Sequence, residues 1–553
     1  MHSFTNAAYM SRPTSGSLPP EVIGASTTTV GSKVYLFGGR HAVDYSHLAD
    51  LFEFELETLN WTKVEQTQKD RPLPRYYHSA NKWSDYLVVF GGRSHSGSDD
   101  SHRSCVLNDV RFFDLGEKRW LPPSEDTAST SHSIPRGRCG HLSAVTGDRL
   151  LVFGGQDVEN AWIEDICTYD LVNRRWISCR PYPRRYSVYT SLSVAPNLVV
   201  HAHAPPLSPD MAQENPIIHL PFSAPASPHS PASVYICDLS STAPKLEIFD
   251  AFLRKAPDKR LACTSFLPEN VRFPTGGVLG QHLIVAGTVV TPSSQPLFLW
   301  SLDLHSMVWK PIDLEKAFQS GDWHTLALWG AKNKLIVFGR RDSVLPDARA
   351  HHANDWTHVI IADLESSGIY QPPGRKLDVR TQQVALTALT TGVDVDFTIT
   401  CDDGRELRCL KRVLEERWPW FRQQRALLLQ HSLGALQRRK SPSIASPPPA
   451  DPRLSARRFD MGQPYAVTLA LLQYLYTLAL LTPLQHAPPV LSVLLVFSKE
   501  YGLSHLHELV KHAMHVALSE STAWGVYEVA RECECAGLER RSVASPSSVP
   551  VPW

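Results

Sequence analysis

The chain has no excess of charge of either sign. Its 55 Lys and Arg residues are balanced by 55 Asp and Glu residues. A net charge of zero favours neither nucleic acid nor an anionic membrane as a partner. The N-terminal segment MHSFTNAAYMSRPTSG contains no apolar stretch and predicts no secretory signal. We therefore expect a cytoplasmic protein, with the nucleus as the alternative.

Cysteine is sparse, with ten in 553 residues, and only Cys533 and Cys535 are close together in sequence. A lone C-x-C pair is a weak metal signal, because a zinc site needs further ligands nearby. The cysteines are therefore interpreted as reduced and incidental, with no bound metal.

Long hydrophobic runs are also missing. The most apolar stretch, Val467–Leu481, is shorter than the ~18 to 20 residues of a membrane span, and Pro483, Pro488 and Pro489 interrupt the segment after it. This pattern predicts a pair of buried helices and no membrane span.

Catalytic motifs are absent as well: the sequence has no G-x-S-x-G, H-E-x-x-H, P-loop or G-x-G-x-x-G. His201 and His203 would share one face of a strand, but two histidines do not make a catalytic metal site. We expect no enzyme activity, no cofactor and no catalytic, cofactor-binding or metal-binding residue.

What the chain does contain is a repeat. An apolar strand runs into a glycine pair in KVYLFGGR (Lys33–Arg40), YLVVFGGR (Tyr86–Arg93) and LLVFGGQD (Leu150–Asp157). Each copy continues into a second strand that ends in a turn and a tryptophan, and the tryptophans are 120−61 = 59 and 176−120 = 56 residues apart. Each unit is predicted to form four short antiparallel strands, with glycines where neighbouring backbones approach closely.

These units resemble the kelch repeat, the blade of a β-propeller. The resemblance extends to the entry strands PRYYHSANKW and PRGRCGHLSAV, and the family's period is about 50 residues. It implies an all-β propeller of about six blades over residues 18–371, with seven as the alternative. A flexible N-terminus (1–17) and a disordered Pro/Ser-rich insertion (about 202–232) are expected around and within it. The residues expected to have structural roles are Gly38, Gly39, Trp61, Gly91, Gly92, Trp120, Gly154, Gly155, Trp176 and Trp309.

Partner binding in a propeller is expected on the variable loops of one face. The loops that follow the glycine pairs are 40–47, 93–103, 156–160 and 340–352. They carry Arg and His residues suited to an acidic partner surface, and solvated loop charge is the alternative explanation. The candidate partner-binding residues are Arg40, Arg93, Gln156, Arg340 and Arg341.

A different domain is predicted after a linker (372–392). The segment DVDFTITCDDGRELRCLKRVLEERWPWF reads as two strands joined by a turn, followed by a short helix that ends before Pro419. Together with YAVTLALLQYLYT (Tyr465–Thr477), it resembles a BTB/POZ domain, a mainly α fold with a small sheet. The family usually has His at the start of this helix, but this chain has Leu410 there, which is a departure from the pattern.

The resemblance covers 393–540, with a low-complexity insertion at about 432–458 and a disordered tail at 541–553. The expected core residues are Phe397, Leu414, Phe421, Leu472, Tyr474, Leu475 and Tyr476.

The two resemblances together imply an adaptor or scaffold for protein–protein interaction. Kelch–BTB proteins commonly recruit cullin-type ubiquitin ligases, and BTB domains form homodimers. The order of domains here, kelch before BTB, resembles the leucine-zipper-like regulator and the fungal Ras-pathway kelch proteins, which implies a Ras-type GTPase as partner. A polarity or cytoskeletal scaffold without a ligase is the first alternative, and a galactose-oxidase-like enzyme is a weaker alternative.

Ser-Pro pairs in the low-complexity segments offer sites for proline-directed phosphorylation.

Overall fold

The computed structural model divides the chain into two compact units. The first comprises Met1–Val199 and Pro225–Gln371, and the second comprises Val200–Ala224 and Pro372–Trp553. The structure describes residues 9–66, 69–95, 104–123, 134–201, 217–240, 244–257, 262–263, 271–289, 297–314, 317–318, 320–341, 353–392, 394–438 and 450–544.

The first unit is built from strands, as the repeat predicts. Within its described residues the strands form six sheets in chain order. The first sheet comprises Ser15–Gly16, Val22–Ile23, Ser26–Val30, Lys33–His41, His47–Glu55 and Asn60–Lys63, and the second comprises Ser79–Trp83, Tyr86–Phe90, Val110–Asp114 and Arg119–Trp120. The third sheet comprises Leu142–Thr146, Arg149–Phe153, Asp165–Asp170 and Arg175–Pro181, and the fourth comprises Ser191–Val194, Val234–Asp238 and Lys245–Phe249. The fifth sheet comprises Ala262–Cys263, Val271–Leu279, His282–Val289, Leu297–Asp303 and Val308–Pro311, and the sixth comprises Tyr9–Pro13, Asp322–Trp329, Lys334–Arg340 and His358–Asp363. A further strand pair in this unit is Arg93–His95 with Ser104–Val106; the strands Leu198–His201 and Phe222–Pro225, at the ends of the segment Val200–Ala224, pair with each other.

Burial along the strands follows from this arrangement. The second strands are buried on both faces, as Leu150 to Phe153 are, because each sheet is covered by its two neighbours. The first strands are less buried: Leu142–Thr146 alternates between buried and partly exposed positions, and Ser26–Val30 is partly exposed throughout. Contacts between first strands run from Ser26–Val30 through each sheet in turn to Asp322–Trp329, which contacts Ser26–Val30 again. This cyclic order is the arrangement of a β-propeller.

The N-terminal strand completes the last sheet. Tyr9–Pro13 pairs antiparallel with His358–Asp363, with Tyr9 opposite Ala362. The prediction of a flexible N-terminus over 1–17 is therefore wrong from Tyr9 onward; residues 1–8 lie outside the described part. Pairing over such a sequence distance leaves no local signal in the sequence, which explains the error.

The fourth sheet departs from the repeat. Ser191–Val194 pairs directly with Val234–Asp238, so the strand Leu198–His201 is not its second strand. The predicted insertion at 202–232 is ordered from residue 217: Phe222–Pro225 is a strand, and the buried Ala232 accepts a hydrogen bond from Thr146 Oγ1. These contacts order a segment whose composition predicts disorder; residues 202–216 lie outside the described part.

The second unit combines a small sheet with helices. Phe397–Thr400 pairs antiparallel with Glu406–Cys409 and parallel with Arg458–Asp460. The helices are α1 Val379–Thr391, α2 Lys411–Arg417, α3 Pro419–Arg438, α4 Tyr465–Thr477, α5 Pro488–Glu500, α6 Ser504–Ala517, α7 Ala523–Glu532 and α8 Ala536–Ala544. Short 3₁₀ turns occupy Pro483–His486 here and Gly330–Lys332 and Glu365–Ser367 in the first unit.

One hydrophobic core holds the second unit together. Trp418, at the junction of α2 and α3, is fully buried against Phe421, Phe459 and Phe497. Helix α4 is buried along almost its whole length, which accounts for the apolar run in the sequence. Among the described residues, no helix combines the length and the hydropathy required to cross a membrane.

Three segments in this part of the chain, predicted as linker, low-complexity insertion and disordered tail, contain helical residues. The linker 372–392 contains α1, which begins where the Asp378 carboxylate accepts a hydrogen bond from the Thr381 amide at 3.0 Å and ends at Gly392. The insertion at 432–458 is helical to Arg438 and ordered again from residue 450, where Leu454 is buried; 439–449 lie outside the described part. The tail at 541–553 is helical to Ala544, and residues 545–553 are not among those described.

Candidate interaction face of the strand-rich unit

The glycine pairs define one end of the sheets, which we call the Gly–Gly face. Gly38 and Gly39 have φ of +66° and +105°, and the pairs 91–92 and 154–155 have the same conformations. A Cβ atom on Gly38 would lie 2.7 Å from the carbonyl oxygen of Arg75, and one on Gly91 would lie 2.8 Å from that of Arg138. Only glycine fits, because the backbone of the next sheet passes directly over these positions.

Two arginines that the sequence interpretation left without a role fasten this face. Arg75 is fully buried and donates to both carboxylate oxygens of Asp109 and to the carbonyl of Gly91, all within 3.0 Å. Arg138 repeats these contacts with Asp165 and Gly154 in the next sheet. The signal was present in the entry strands, where Arg75 and Arg138 each stand three residues before a histidine. These arginines are structural and do not present charge to a partner.

Two buried histidines follow the same arginines. Nε2 of His78 lies 2.7 Å from Ser26 Oγ, and Nε2 of His141 lies 2.9 Å from Ser79 Oγ. Burial, reinforced by the adjacent Arg75, lowers the pKa of His78 to about 3; burial and Arg138 likewise hold the pKa of His141 well below its usual range. Both are neutral at physiological pH.

Arg40 and Arg93, two of the predicted binding residues, come together around Tyr76. The Arg40 guanidinium lies over the rings of Tyr45 and Tyr76, 5.2 and 5.1 Å from their centroids. The backbone of Tyr76 exchanges hydrogen bonds with that of Arg93, whose Nη2 donates to the carbonyl of Val158 at 2.7 Å. Rings stacked on a guanidinium hold it in place without neutralising its charge.

Two histidines complete the group. The rings of His47 and His95 stack with centroids 4.0 Å apart, and His47 also contacts Tyr76. Burial and the charges of His95, Arg40 and Arg93 lower the pKa of His47 to about 4. We call the six residues Arg40, Tyr45, His47, Tyr76, Arg93 and His95 the basic–aromatic cluster.

The cluster carries net positive charge. Within the described ranges, no carboxylate lies at ion-pair distance from Arg40 or Arg93. Tyr45 is 58 % exposed, so its aromatic surface faces solvent. Two guanidinium groups beside exposed rings suit an acidic or phosphorylated protein surface.

The other predicted binding residues do not belong to the basic–aromatic cluster; they are Gln156, Arg340 and Arg341. Gln156 lies in a loop next to Val158, and its side-chain amide donates to the carbonyl of Asn160 at 3.3 Å. Arg340 is neutralised by Glu21 and Asp355, each at 3.4 Å. Arg341 is exposed, and most of its loop (342–352) and of the loop after Arg93 (96–103) lies outside the described residues.

A row of aromatic residues beside the cluster was missed by the sequence interpretation. The amide of Tyr77 donates to Gly24, Gly140 donates to Tyr77, and Phe273 donates to Tyr189. The rings of Tyr77 and Tyr189 meet edge to face at 5.4 Å, and burial raises the pKa of both hydroxyls. The ring of Tyr77 also contacts that of Tyr76, so this row of aromatic residues adjoins the basic–aromatic cluster.

The tryptophans and the predicted C-terminal core residues are inside their units. Trp61, Trp120, Trp176 and Trp309 are all buried. The seven residues named as core of the second domain, Phe397, Leu414, Phe421, Leu472, Tyr474, Leu475 and Tyr476, belong to one buried cluster. None of these side chains is placed to contact a partner.

The described residues contain one group with metal-ligating atoms close together: Asp165, Cys167 and Cys179. Both carboxylate oxygens of Asp165 already accept from Arg138, at 2.6 and 3.2 Å. A guanidinium in that position opposes binding of a cation. His201, which the sequence raised as a ligand candidate, stacks on Phe222 instead, and His203 lies outside the described residues.

Comparison with known proteins agrees with the repeat. Residues 2–195 match the KLHDC2/KLHL20/DRC7 Kelch-repeats domain. Over 96 % of its length the chain is 24 % identical to Protein ral2 of Schizosaccharomyces pombe, of which the match covers 92 %. Residues 2–195 are therefore similar to a kelch-repeat domain, and kelch repeats imply a β-propeller.

Shorter matches concern parts of larger proteins. A stretch of 116 residues is 34 % identical to the Rho GTPase-activating protein gacHH of Dictyostelium discoideum and covers 7 % of that protein. Another, of 177 residues, is 29 % identical to Kelch domain-containing protein 3 of Bos taurus and covers 43 % of it. Kelch-repeat proteins of this kind are generally protein-interaction scaffolds.

Proposed function

We propose that this chain is a cytoplasmic adaptor that binds an acidic protein surface through the basic–aromatic cluster of a six-bladed kelch propeller. The observation that carries the proposal is the pair Arg40 and Arg93: Arg40 lies over two tyrosine rings, Arg93 donates to the Val158 carbonyl, and neither has a carboxylate at ion-pair distance among the described residues. A solvated loop arginine would not need such positioning.

The second unit is proposed to be a BTB/POZ-like module that forms a homodimer and recruits a cullin-type ubiquitin ligase. Its support is the order of elements: two antiparallel strands, a helix pair, a third strand parallel to the first, and then α4 to α6. Dimerisation would double the number of propellers and raise the avidity for a clustered partner.

A Ras-type GTPase is the proposed partner of the propeller. The support is the similarity to Protein ral2 along both units in the same order, together with the match to part of a Rho GTPase-activating protein. An acidic effector-facing surface on the GTPase would complement Arg40 and Arg93.

The test uses the purified full chain immobilised against purified Ras-type and Rho-type GTPases and a cullin N-terminal domain. The proposal expects a Ras-type GTPase and the cullin to bind, and the double variant Arg40→Glu/Arg93→Glu to lose only the GTPase. Light scattering on the same sample should give the mass of two chains. Binding of the GTPase without the cullin would replace the ligase adaptor by a signalling scaffold, and binding of neither would overturn both assignments.

A further inference from the structure

Two cysteines on neighbouring strands meet in the third sheet. Cys167 lies on the strand Asp165–Asp170 and Cys179 on the outer strand Arg175–Pro181. The two residues are directly opposite in the antiparallel register, with Cα atoms 4.1 Å apart, and they form a disulfide. The fold itself therefore brings the two side chains together, although they are 12 residues apart in sequence.

The two sulfurs differ in access. Cys167 is fully buried, whereas Cys179 is partly exposed at the outer strand of the sheet. A small oxidant or thiol can therefore reach Cys179 Sγ, and Cys167 is the partner that closes the bond. By contrast, Cys105, Cys139 and Cys237 are not part of a disulfide.

The two cysteines also contact the Arg138–Asp165 ion pair of the Gly–Gly face. Cys179 Sγ lies 3.3 Å from Asp165 Oδ2, and Arg138 Nη2 lies 3.7 Å from Cys167 Sγ. Arg138 and Asp165 are the ion pair that fastens the turn at Gly154. The guanidinium stabilises negative charge that develops on Cys167 when the bond opens, which makes that sulfur a better leaving group.

We propose that Cys167 and Cys179 are a reversible redox modification site that closes and opens a staple between the last two strands of the third sheet. In the closing reaction with a hydroperoxide, the Cys179 thiolate attacks the peroxide oxygen and becomes a sulfenic acid, and the leaving oxygen takes up a proton. Cys167 then displaces the sulfenic hydroxyl, which leaves as water, so two thiols and one hydrogen peroxide give one disulfide and two waters. Two molecules of a small thiol such as glutathione reverse it, giving two thiols and one glutathione disulfide.

Opening the staple removes the covalent link between the outer strand and the strand that carries Asp165, which leaves the backbone pairing to hold them together. Leu171 to Arg174 form the turn between the two strands, and Arg174 and Arg175 are adjacent trypsin sites there. The reduced protein should therefore be cut at this turn several-fold faster than the oxidised protein under native conditions.

The experiment equilibrates the full chain across a series of reduced-to-oxidised glutathione ratios, blocks free thiols by alkylation, denatures, digests with trypsin and analyses peptides without reduction. Because trypsin cuts between the two cysteines, only the disulfide can hold their peptides together. The proposal expects this linked pair to disappear and reappear within the series, while Cys105 stays alkylatable throughout. Cys105→Ser is the matched control, and Cys167→Ser and Cys179→Ser should each abolish the linked pair.

Any of three results would overturn the proposal: a linked pair that never opens, one that never forms, or two thiols protected by a retained equivalent of zinc. The wild-type series decides the question even if Cys167→Ser fails to fold, and circular dichroism identifies that case.

Discussion

Arg75 donates two parallel hydrogen bonds to Asp109, from Nη1 to Oδ1 at 2.8 Å and from Nη2 to Oδ2 at 2.9 Å, from a side chain that is fully buried. The same guanidinium also reaches the carbonyl of Gly91. One residue thus connects the entry strand of a sheet to its glycine turn and to its next strand, and Arg138 does the same one repeat later.

Replacing Arg75 by Ala should destabilise the first unit by about 1.5 to 3 kcal/mol, because Asp109 and the Gly91 carbonyl would lose hydrogen bonds from a charged donor, while Arg111 stays 3.9 Å from Asp109. Arg119→Ala, at an exposed position, should change the free energy of unfolding by less than about 0.5 kcal/mol. Urea unfolding of the full chain measures both. Equal effects would mean that the bidentate pair contributes nothing beyond an ordinary surface arginine.

Two glycines with positive φ separate the cost of backbone strain from the cost of a steric clash, because only one of them has another atom close to where a Cβ would lie. Gly31 has φ of +61° and no atom within 4 Å of the position a Cβ would take, whereas Gly38 has φ of +66° and a backbone oxygen at 2.7 Å from that position. Gly31→Ala should cost about 1 kcal/mol from backbone strain alone, and Gly38→Ala should cost at least about 2 kcal/mol more. Thermal unfolding of the two variants checks the difference; similar melting temperatures would contradict the close approach.

The low pKa of His78 in the folded protein predicts that the free energy of unfolding falls in acid. Its pKa is about 3 in the folded protein and near 6.5 when unfolded, so below pH 6.5 only the unfolded state takes up the proton. Stability should therefore be full above pH 6.5 and fall toward pH 3, by about 2 kcal/mol per such histidine at pH 5.

The test compares unfolding at pH 7.5 and pH 5 for the wild type, His78→Gln and the exposed-site control His305→Gln. His78→Gln should show a smaller loss between the two pH values, and His305→Gln the same loss as the wild type. An unchanged loss in His78→Gln would show that this side chain does not carry the pH dependence.

The core of the second unit can be tested with two leucines. Leu472 on α4 is fully buried, and Leu429 on α3 is 57 % exposed. Leu472→Ala should lower the free energy of unfolding of this unit by about 2 to 5 kcal/mol, and Leu429→Ala by less than about 0.5 kcal/mol. Hydrogen exchange of α4 amides, followed by mass spectrometry, assigns the effect to this unit. Faster exchange in both variants would contradict the assigned core.

The sequence alone predicted those features of the fold that depend on single positions or on close neighbours in the chain. Glycine pairs and tryptophans mark turns and buried strand ends in every clear repeat, because positive φ and burial constrain each position separately. The helix α1 also had a local signal, since Asp378 caps its start and Gly392 its end, but its position between two recognisable domains led to its assignment as a linker.

Features that depend on pairing between segments were not predictable in this way. The pairing of Tyr9–Pro13 with His358–Asp363, the register that places Cys167 opposite Cys179 and the convergence of Arg40 and Arg93 on Tyr76 all arise from the folded structure. Composition predicted disorder for 217–232, but hydrogen bonds such as that from Ser223 Oγ to Pro372 hold part of this segment in place.

The most direct test of the adaptor account is the affinity of the full chain for a purified Ras-type GTPase, measured by biolayer interferometry for the wild type and for Arg40→Glu/Arg93→Glu. The control, Arg119→Glu/Arg175→Glu, makes the same change of charge at the opposite ends of the sheets, where Arg119 faces Asp114 and Arg175 faces Asp170. The account predicts that the dissociation constant rises at least about tenfold in the first double variant, equivalent to about 1.4 kcal/mol, and stays within about twofold of the wild type in the control. Equal affinity in all three proteins would contradict a binding role for the basic–aromatic cluster.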